Sequence, residues 1–364
     1  MQIKVLNVID HLGYGGAPVA VKNIVERLDN KRTETFVCAL RTNPEAMPIK
    51  TKLINLTYHK YNPFAFLAIA KLCKEHEIDI IHAHLQKSII SCLLAGFLCD
   101  AKIIIHEHGP IFRRGTGCIY RLLLKVLAPK ASIAIANSQA TKSALNQTAG
   151  FAKESIYIVS NFIDFARFDH TLYDKGKARD TLGIAEDKTV VGFVGRLDSC
   201  KGVDLLINAA AILCKKKPRY HFVIVGQGAQ RKQLEQLVAR LGLKEKVVFT
   251  GLCKNPAEVI SAFDIAVVPS RREAFGIVAV EFMRMKIPVI ASPVGGLVEV
   301  VQHNKTGILL DNLNAENIAE HVDTLVQDNS LRETLVENAE VFSRKFDGAE
   351  QLKQITNIYE KLCP

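Results

Sequence analysis

Two carboxylates, Glu273 and Glu281, enclose seven residues that include Gly276. The apolar residues 264–269 ahead of them read as a buried strand, and residues 282–286 behind them read as helix. Gly276 therefore falls close to a helix start, where unpaired backbone N–H groups and the positive end of the helix dipole favour a phosphate. Glu281 lies about five residues into that helix, roughly 7.5 Å further along the axis. Hydroxyls on both sides of a phosphate would suit this spacing, and a nucleotide sugar has that layout.

A second chemical segment is Gly195-Arg196-Leu-Asp-Ser-Cys-Lys201-Gly202, which follows the apolar run 189–194. Arg196 offers a planar fork and Lys201 a point charge, and both can converge on one diphosphate and offset the charge that builds on a leaving group. Gly226 and Gly228 follow the run 220–225, and Gly295 and Gly296 follow 288–291. Each pair permits close approach of backbone to a ligand. Near the N-terminus, Gly13, Gly15 and Gly16 open a helix after the first apolar run. Their spacing is G-x-G-G rather than G-x-G-x-x-G, and no acidic residue ends the second strand to hold a ribose, so this loop reads as a generic anion or substrate loop. His82 and His84, like His106 and His108, sit two apart, so alternation points each pair to one side of a strand. They read as polar residues at strand ends facing a cleft rather than as metal ligands.

Positioning these loops takes alternating strands and helices. Strands are expected at 3–9, 35–39, 78–82, 102–107, 132–136 and 155–159. After a mixed polar linker around 161–188, a second series follows at 189–194, 220–225, 247–250, 265–269 and 288–291. Helical patterns lie between them, for example over 19–28 and 63–76, and the tail 315–362 reads as helix. This is an α/β chain of two doubly wound, Rossmann-like domains facing a cleft, with ligand loops at the carboxyl ends of the strands. The N-terminal domain is expected over 1–165, the C-terminal one over 166–345, and a last helix within 346–364 packs back on the first.

Composition sets the outer limits. The chain has 364 residues, more than one core usually supports. Nine cysteines without a Cys-x-x-Cys pair fit neither a disulfide framework nor a structural zinc site, and suit a reducing compartment. The N-terminus lacks a signal-peptide layout, which points to a cytoplasmic protein. Through Asp164 there are 20 Lys and Arg against 12 Asp and Glu, so most of the net charge of +10 lies in the first half. Arg113, Arg114, Arg121 and Lys125 stand among Ile, Tyr and Leu, a pattern that suits either an anionic membrane surface or an amphipathic helix with a solvated basic face. Nucleic acid is not expected, because the cations lack interleaved stacking aromatics and Trp is absent.

Gly15-Gly16-Ala, His108-Gly109, Asn161-x-Ile-Asp164, the Gly195–Gly202 segment, Val-Gly226-x-Gly228, Pro-Ser-x-x-Glu273-x-Phe-Gly276-x-x-x-x-Glu281 and Pro-Val-Gly295-Gly296 occur in one order along the whole chain. This series resembles the retaining glycosyltransferases of family 4, which have the GT-B fold. The resemblance implies transfer of a sugar from a nucleoside diphosphate donor, UDP-sugar as a rule, with retention and without a required metal or other cofactor. Arg196 and Lys201 would grip the diphosphate beside Gly195, and Glu281 would hold the ribose. Glu273 would contact the donor sugar, and backbone around Phe275, Gly276, Ile277 and Val278 would hold sugar and phosphate. His108 would sit near the reaction centre, with Gly15 and Gly16 near the phosphate and acceptor side. Which of His106 and His108 faces the sugar stays open; register favours His108. The absence of an Asp-x-Asp pair agrees with a metal-free diphosphate site. The acceptor is expected to be a cell-envelope glycan or lipid-linked sugar, as in lipopolysaccharide or polysaccharide assembly, reached by a protein resting on the inner face of the membrane. Arg271 and Arg272 beside Glu273 raise a charged donor sugar or plain surface as readings. An epimerase of the same fold and a non-catalytic nucleotide-sugar binder are the competing functions.

Overall fold

The structure is a computed structural model, and it describes residues 2–58, 62–109 and 116–364, with the side chains of Thr116, Gly117 and Thr148 left aside. The chain divides into two compact bodies. The N-terminal domain comprises Met1–Phe162 with Gly348–Pro364, and the C-terminal domain is Ile163–Asp347.

The N-terminal domain runs β1 (Ile3–Ile9), α1 (Gly16–Arg27), β2 (Thr33–Ala39), β3 (Lys52–Asn55), α2 (Ala65–Glu75), β4 (Ile80–His84) and α3 (Gln86–Ala95). It continues with β5 (Lys102–Glu107), α4 (Thr116–Leu127), β6 (Ile133–Ala136), α5 (Gln139–Ala149) and β7 (Ile156–Ile158). The sheet is parallel throughout, in the order β3-β2-β1-β4-β5-β6-β7. Its inner strands β1, β2, β4, β5 and β6 are buried over most of their length on both faces, which is why they read as nearly unbroken apolar runs. β3 escapes the sequence reading because its four residues are mostly exposed and carry no alternation.

In the C-terminal domain the order is α6 (Lys175–Thr181), β8 (Thr189–Val194), α7 (Val203–Lys216), β9 (Tyr220–Val225), α8 (Arg231–Arg240), β10 (Val247–Gly251) and α9 (Pro256–Ile260). Then come β11 (Ile265–Val268), α10 (Ile277–Arg284), β12 (Val289–Ala291), α11 (Leu297–Val300), β13 (Ile308–Leu309), α12 (Ala315–Gln327) and α13 (Asn329–Ser343). The strand order is β10-β9-β8-β11-β12-β13, again parallel. The last helix, α14 (Ala349–Leu362), belongs to the N-terminal domain, where Ile355, Ile358 and Tyr359 join Val5, Ile24, Ile80 and Ile104 in one core cluster.

The expected linker over 161–188 is not a loose connection. Ile163, Phe168, Ala178 and Ile184 are buried in the C-terminal core. Arg179, on α6, donates to Asp264 Oδ2 at 2.6 Å and to the carbonyls of Ala262 and Glu186. Asp264 also accepts from Val190 N–H at 2.7 Å and pairs with Lys175 at 2.6 Å. The polar composition of this stretch hid a buried arginine that pairs with the half-buried Asp264 and whose hydrogen bonds are met, the condition under which a charge is tolerated inside.

Candidate active site

The C-terminal domain brings together the residues expected to bind the donor's phosphates. β8 and β11 are neighbours in the sheet, so the loops after them emerge side by side. Lys201 Nζ lies 2.5 Å from Glu273 Oε2, and Ser270 Oγ donates to the same oxygen at 3.2 Å. Arg196 is exposed and pairs with Asp198 at 3.0 Å. Asp198 in turn caps the short turn that carries Lys201, accepting from Cys200 N–H at 3.1 Å. The arginine pair beside Glu273 divides its work. Arg271 clamps Asp204 through two bonds of 2.7 and 2.6 Å and donates to Ser199 O at 3.0 Å, tying this loop to the start of α7. It is a structural clamp although still exposed, and Arg272, exposed as well, stands next to it beside Glu273.

α10 starts at Ile277, with Gly276 before it at φ 92, a left-handed conformation that an L side chain would strain. A Cβ there would also come within 2.3 Å of Leu297. Phe275 turns its ring into the core against Phe346, so only its backbone can serve a ligand. Glu281 is buried among apolar neighbours, and that burial pushes its carboxyl up to about 7, with Arg167 pulling the other way. Glu281 thus sits one helical turn inside α10, while Glu273 lies before it.

The glycines of two loops serve the protein before any ligand. A Cβ at Gly226 would lie 1.9 Å from Gly195 O, and one at Gly228 would lie 2.3 Å from Leu197 O. The close approach they permit is therefore between the loops after β8 and β9. Gly295 and Gly296 do the same against the backbone of Glu273 and Ala274. Beside Gly228 opens a pocket of about 460 Å³ lined by Gln227, Arg231, Phe249, Thr250 and Gly251. Arg231 stacks over the Phe249 ring at 4.6 Å.

In the N-terminal domain, β1, β4 and β5 are adjacent, and their register sets Asn7 beside His82 and His84 beside His106. With period-two alternation, Asn7, His82, His84, His106 and His108 come to one face at the strand ends. The four imidazoles are buried and stack, His106 and His108 with centroids 4.0 Å apart. His84 bonds to His108 at 3.0 Å and to Asn7 Oδ1 at 3.1 Å. His82 bonds to Tyr359 Oη at 2.7 Å and to His106 at 3.2 Å. Burial drives every one of these rings toward the neutral form, His82 down to about 3 and His108 to about 4. Nitrogens of His82, His84 and His106 lie within 4.8 Å of one another, a grouping that could hold a metal ion. Both nitrogens of His82 and of His84 are already engaged, so an ion would have to displace those bonds.

Sequence reasoning assigned no role to Glu107, Asn7 or Tyr359. Glu107 is buried, accepts from Gly109 N–H at 3.1 Å and from the Tyr120 hydroxyl at 3.2 Å, and is pushed up to about 7 by burial. Asn7 had a visible signal, a lone amide inside the apolar run 3–9. Gly15 caps α1, and a Cβ there would meet nothing nearer than Pro18 at 3.9 Å, so the space above it is open. Gly16 is the first residue of α1.

The sequence profile named Glycosyl transferases group 1 matches residues 174–342, and that named Glycosyltransferase Family 4 matches residues 14–167. A D-inositol 3-phosphate glycosyltransferase of Corynebacterium aurimucosum is 32% identical over 311 residues, covering 79% of this chain and 72% of that protein. This chain belongs to the glycosyltransferases. An uncharacterized glycosyltransferase of Methanocaldococcus jannaschii is 34% identical over 214 residues, 57% of this chain and only 54% of its own length. Among solved structures, Anabaena HepE in complex with UDP-glucose superposes with a TM-score of 0.83 at 26% identity, covering 99% of this chain and 100% of HepE. The two parallel α/β domains are thus those of GT-B glycosyltransferases.

Proposed function

We propose that this glycosyltransferase moves a sugar from a UDP-sugar, with retention and without a required metal, to a cell-envelope glycan or lipid-linked acceptor. The observation that carries the donor reading is the meeting of Lys201 and Glu273 in front of the α10 start. Without ligand the two charges satisfy each other. A donor diphosphate, arriving with more negative charge, draws Lys201 and Arg196 onto itself and onto the first N–H groups of α10. Glu273 is then released to the sugar hydroxyls. These cations and helix N–H groups supply the charge stabilisation that a metal would otherwise give. Glu281 takes the ribose, and the pocket beside Arg231 and Phe249 has room for the base. The UDP-glucose bound to HepE supports a UDP donor class.

Glu273 serves here as a binding group. The acceptor oxygen attacks the anomeric carbon from the face the diphosphate leaves, its proton passes to a departing phosphate oxygen, and the carbon–oxygen bond to phosphate breaks. A trapped covalent sugar–enzyme adduct would contradict this route.

For the acceptor side, α4 carries the support. Tyr120, Leu124 and Leu127 are buried, while Ile119, Leu122, Leu123 and Val126 face outward with Arg121 and Lys125. Just after α4, Lys130 lies over the exposed Phe97 ring at 4.1 Å. Outward aliphatics among cations suit an anionic bilayer surface. Arg113 and Arg114 lie outside the described residues. Among the described residues no helix is long and apolar enough to cross a membrane, so contact here would be peripheral.

The test is product analysis. The protein is incubated with labelled UDP-, GDP- and ADP-sugars and an envelope lipid extract, with and without chelator. Release of UDP with label transferred in the donor's anomeric configuration, unaffected by chelator, supports the proposal. An altered sugar nucleotide without UDP release would make the chain an epimerase, and tight binding without turnover would make it a binding protein.

A further inference from the structure

Cys38 of β2, Cys73 of α2, Cys92 of α3 and Cys99 meet around one core cluster of the N-terminal domain, all as free thiols. Cys73 stands in the last turn of α2, and Cys99 follows the end of α3. The turn between α3 and Cys99 is closed by Phe97 N–H donating to Leu94 O at 3.2 Å and Leu98 N–H to Ala95 O at 2.8 Å. It carries Cys99 back against the cluster that holds Cys73, and the two side chains share a hydrogen bond. Side chains in contact meet the first geometric demand of a disulfide.

The two sulfurs differ in their surroundings. Cys73 is buried, and its bond to Cys99 together with burial pushes its thiol far up, so it keeps its proton. Cys99 is half-buried. The Cys73 S–H and, less strongly, the Ala101 N–H favour its thiolate against partial burial and bring it down to about 7. In its thiol form Cys99 donates instead to Ala95 O at 3.4 Å. Cys38 and Cys92 are sealed in the core, and burial holds both as thiols. One sulfur thus reaches solvent, with one protonated sulfur directly behind it.

We propose that Cys99 and Cys73 form a reversible thiol–disulfide pair that reacts with hydroperoxides, Cys99 as the attacking sulfur and Cys73 as the resolving one. The Cys99 thiolate attacks the outer oxygen of the peroxide, the O–O bond breaks, and the leaving alkoxide or hydroxide takes a proton from water. Cys99 is then a sulfenic acid. The Cys73 sulfur attacks it, its proton leaves with the hydroxyl as water, and an S–S bond joins α2 to the turn after α3. The peroxide is reduced and the two thiols are oxidised; an external thiol restores them by exchange. The pair uses none of the residues assigned to sugar transfer.

In the test, the full-length protein is reduced, freed of reductant, treated with hydrogen peroxide, blocked with iodoacetamide and digested without reductant. The expected product joins the Cys73 and Cys99 peptides and separates again in dithiothreitol. Cys73→Ser should leave a sulfenic acid on Cys99 that dimedone captures, and Cys99→Ser should give no such product at Cys73. Before any oxidation, iodoacetamide at pH 6.5 should modify Cys99 roughly fivefold faster than the exposed Cys118, because more of Cys99 is thiolate. Peroxide that leaves Cys73 and Cys99 unlinked, or links either to a different cysteine, overturns the proposal. Faster alkylation of Cys118 removes Cys99 as the attacking sulfur. The wild-type peptide map decides the matter if the Cys73 variant does not fold.

Discussion

Lys201 pairs its charge with Glu273, so substitution at either residue has two consequences. Lys201→Ala leaves Glu273 with only the Ser270 hydroxyl and removes a charge from the donor site. We expect donor affinity to fall at least tenfold by calorimetry while the melting temperature moves little, because the pair is partly solvated and pairs of that kind contribute about 1 kcal/mol or less. Glu281 gives the opposite signature. Its folded-state pKa is raised, so its favourable contribution is complete below the unfolded value near 4.5 and is lost as pH rises through about 7. Glu281→Gln removes that loss. The variant should melt no lower than the parent above pH 7 and should bind UDP-sugar at least tenfold more weakly. A variant that melts lower at pH 8 and binds normally would show that Glu281 is held by the fold rather than kept for the ligand.

At the scale of elements, the loops at the strand ends are set by backbone packing. Gly226 has φ 134 and its missing Cβ would overlap Gly195 O, whereas Gly242 has φ 69 and open space around it. Gly242→Ala should cost about 1 kcal/mol, the strain of the left-handed conformation alone. Gly226→Ala should cost clearly more in urea denaturation, because two loops must part as well. Equal costs would mean that the loops do not pack as described. The same contrast explains what could be read from the sequence. Buried parallel strands such as β1, β5, β8 and β9 announce themselves as apolar runs, and the glycine, lysine and glutamate loops follow at fixed places after them. The glycines of residues 226 and 228 were visible as freedom of backbone, but their partner is a neighbouring loop distant in sequence. Arg271 reads as a surface charge until Asp204 is found opposite it. Residues 161–188 look like a linker because their apolar anchors are sparse and their buried arginine looks exposed. The stacking of His82, His84, His106 and His108 needs the strand order, which alternation along one strand cannot give.

Over the whole molecule, the balance of charge and of buried titratable groups sets the response to solution conditions. The four histidines have depressed folded-state values, so their contribution is present above about 6.5 and is lost as pH falls toward 4. Glu107, raised to about 7, acts in the opposite sense over part of that range, but it is one group against four. The N-terminal domain should therefore lose stability steeply between pH 6.5 and 4.5, at about 1.4 kcal/mol per pH unit for each net proton. Hydrogen exchange followed domain by domain reads this directly, and a flat profile in the N-terminal domain would contradict it. The net charge of +10 and the aliphatic face of α4 point to a surface response as well. Arg121→Glu with Lys125→Glu should abolish sedimentation with anionic liposomes without changing UDP-sugar binding, and unchanged sedimentation would remove the membrane from the account.

The central claim, that the C-terminal domain holds a nucleoside diphosphate sugar between Lys201, Glu273 and Glu281, is tested most directly by titrating UDP and UDP-sugars into the purified protein in the presence of chelator. The account predicts saturable binding at one site, raising stability by roughly 2.7 kcal/mol at a hundred times the dissociation constant, and weakened in both Lys201→Ala and Glu281→Gln. Binding that persists unaltered in both variants, or no binding of any uridine nucleotide, would contradict it.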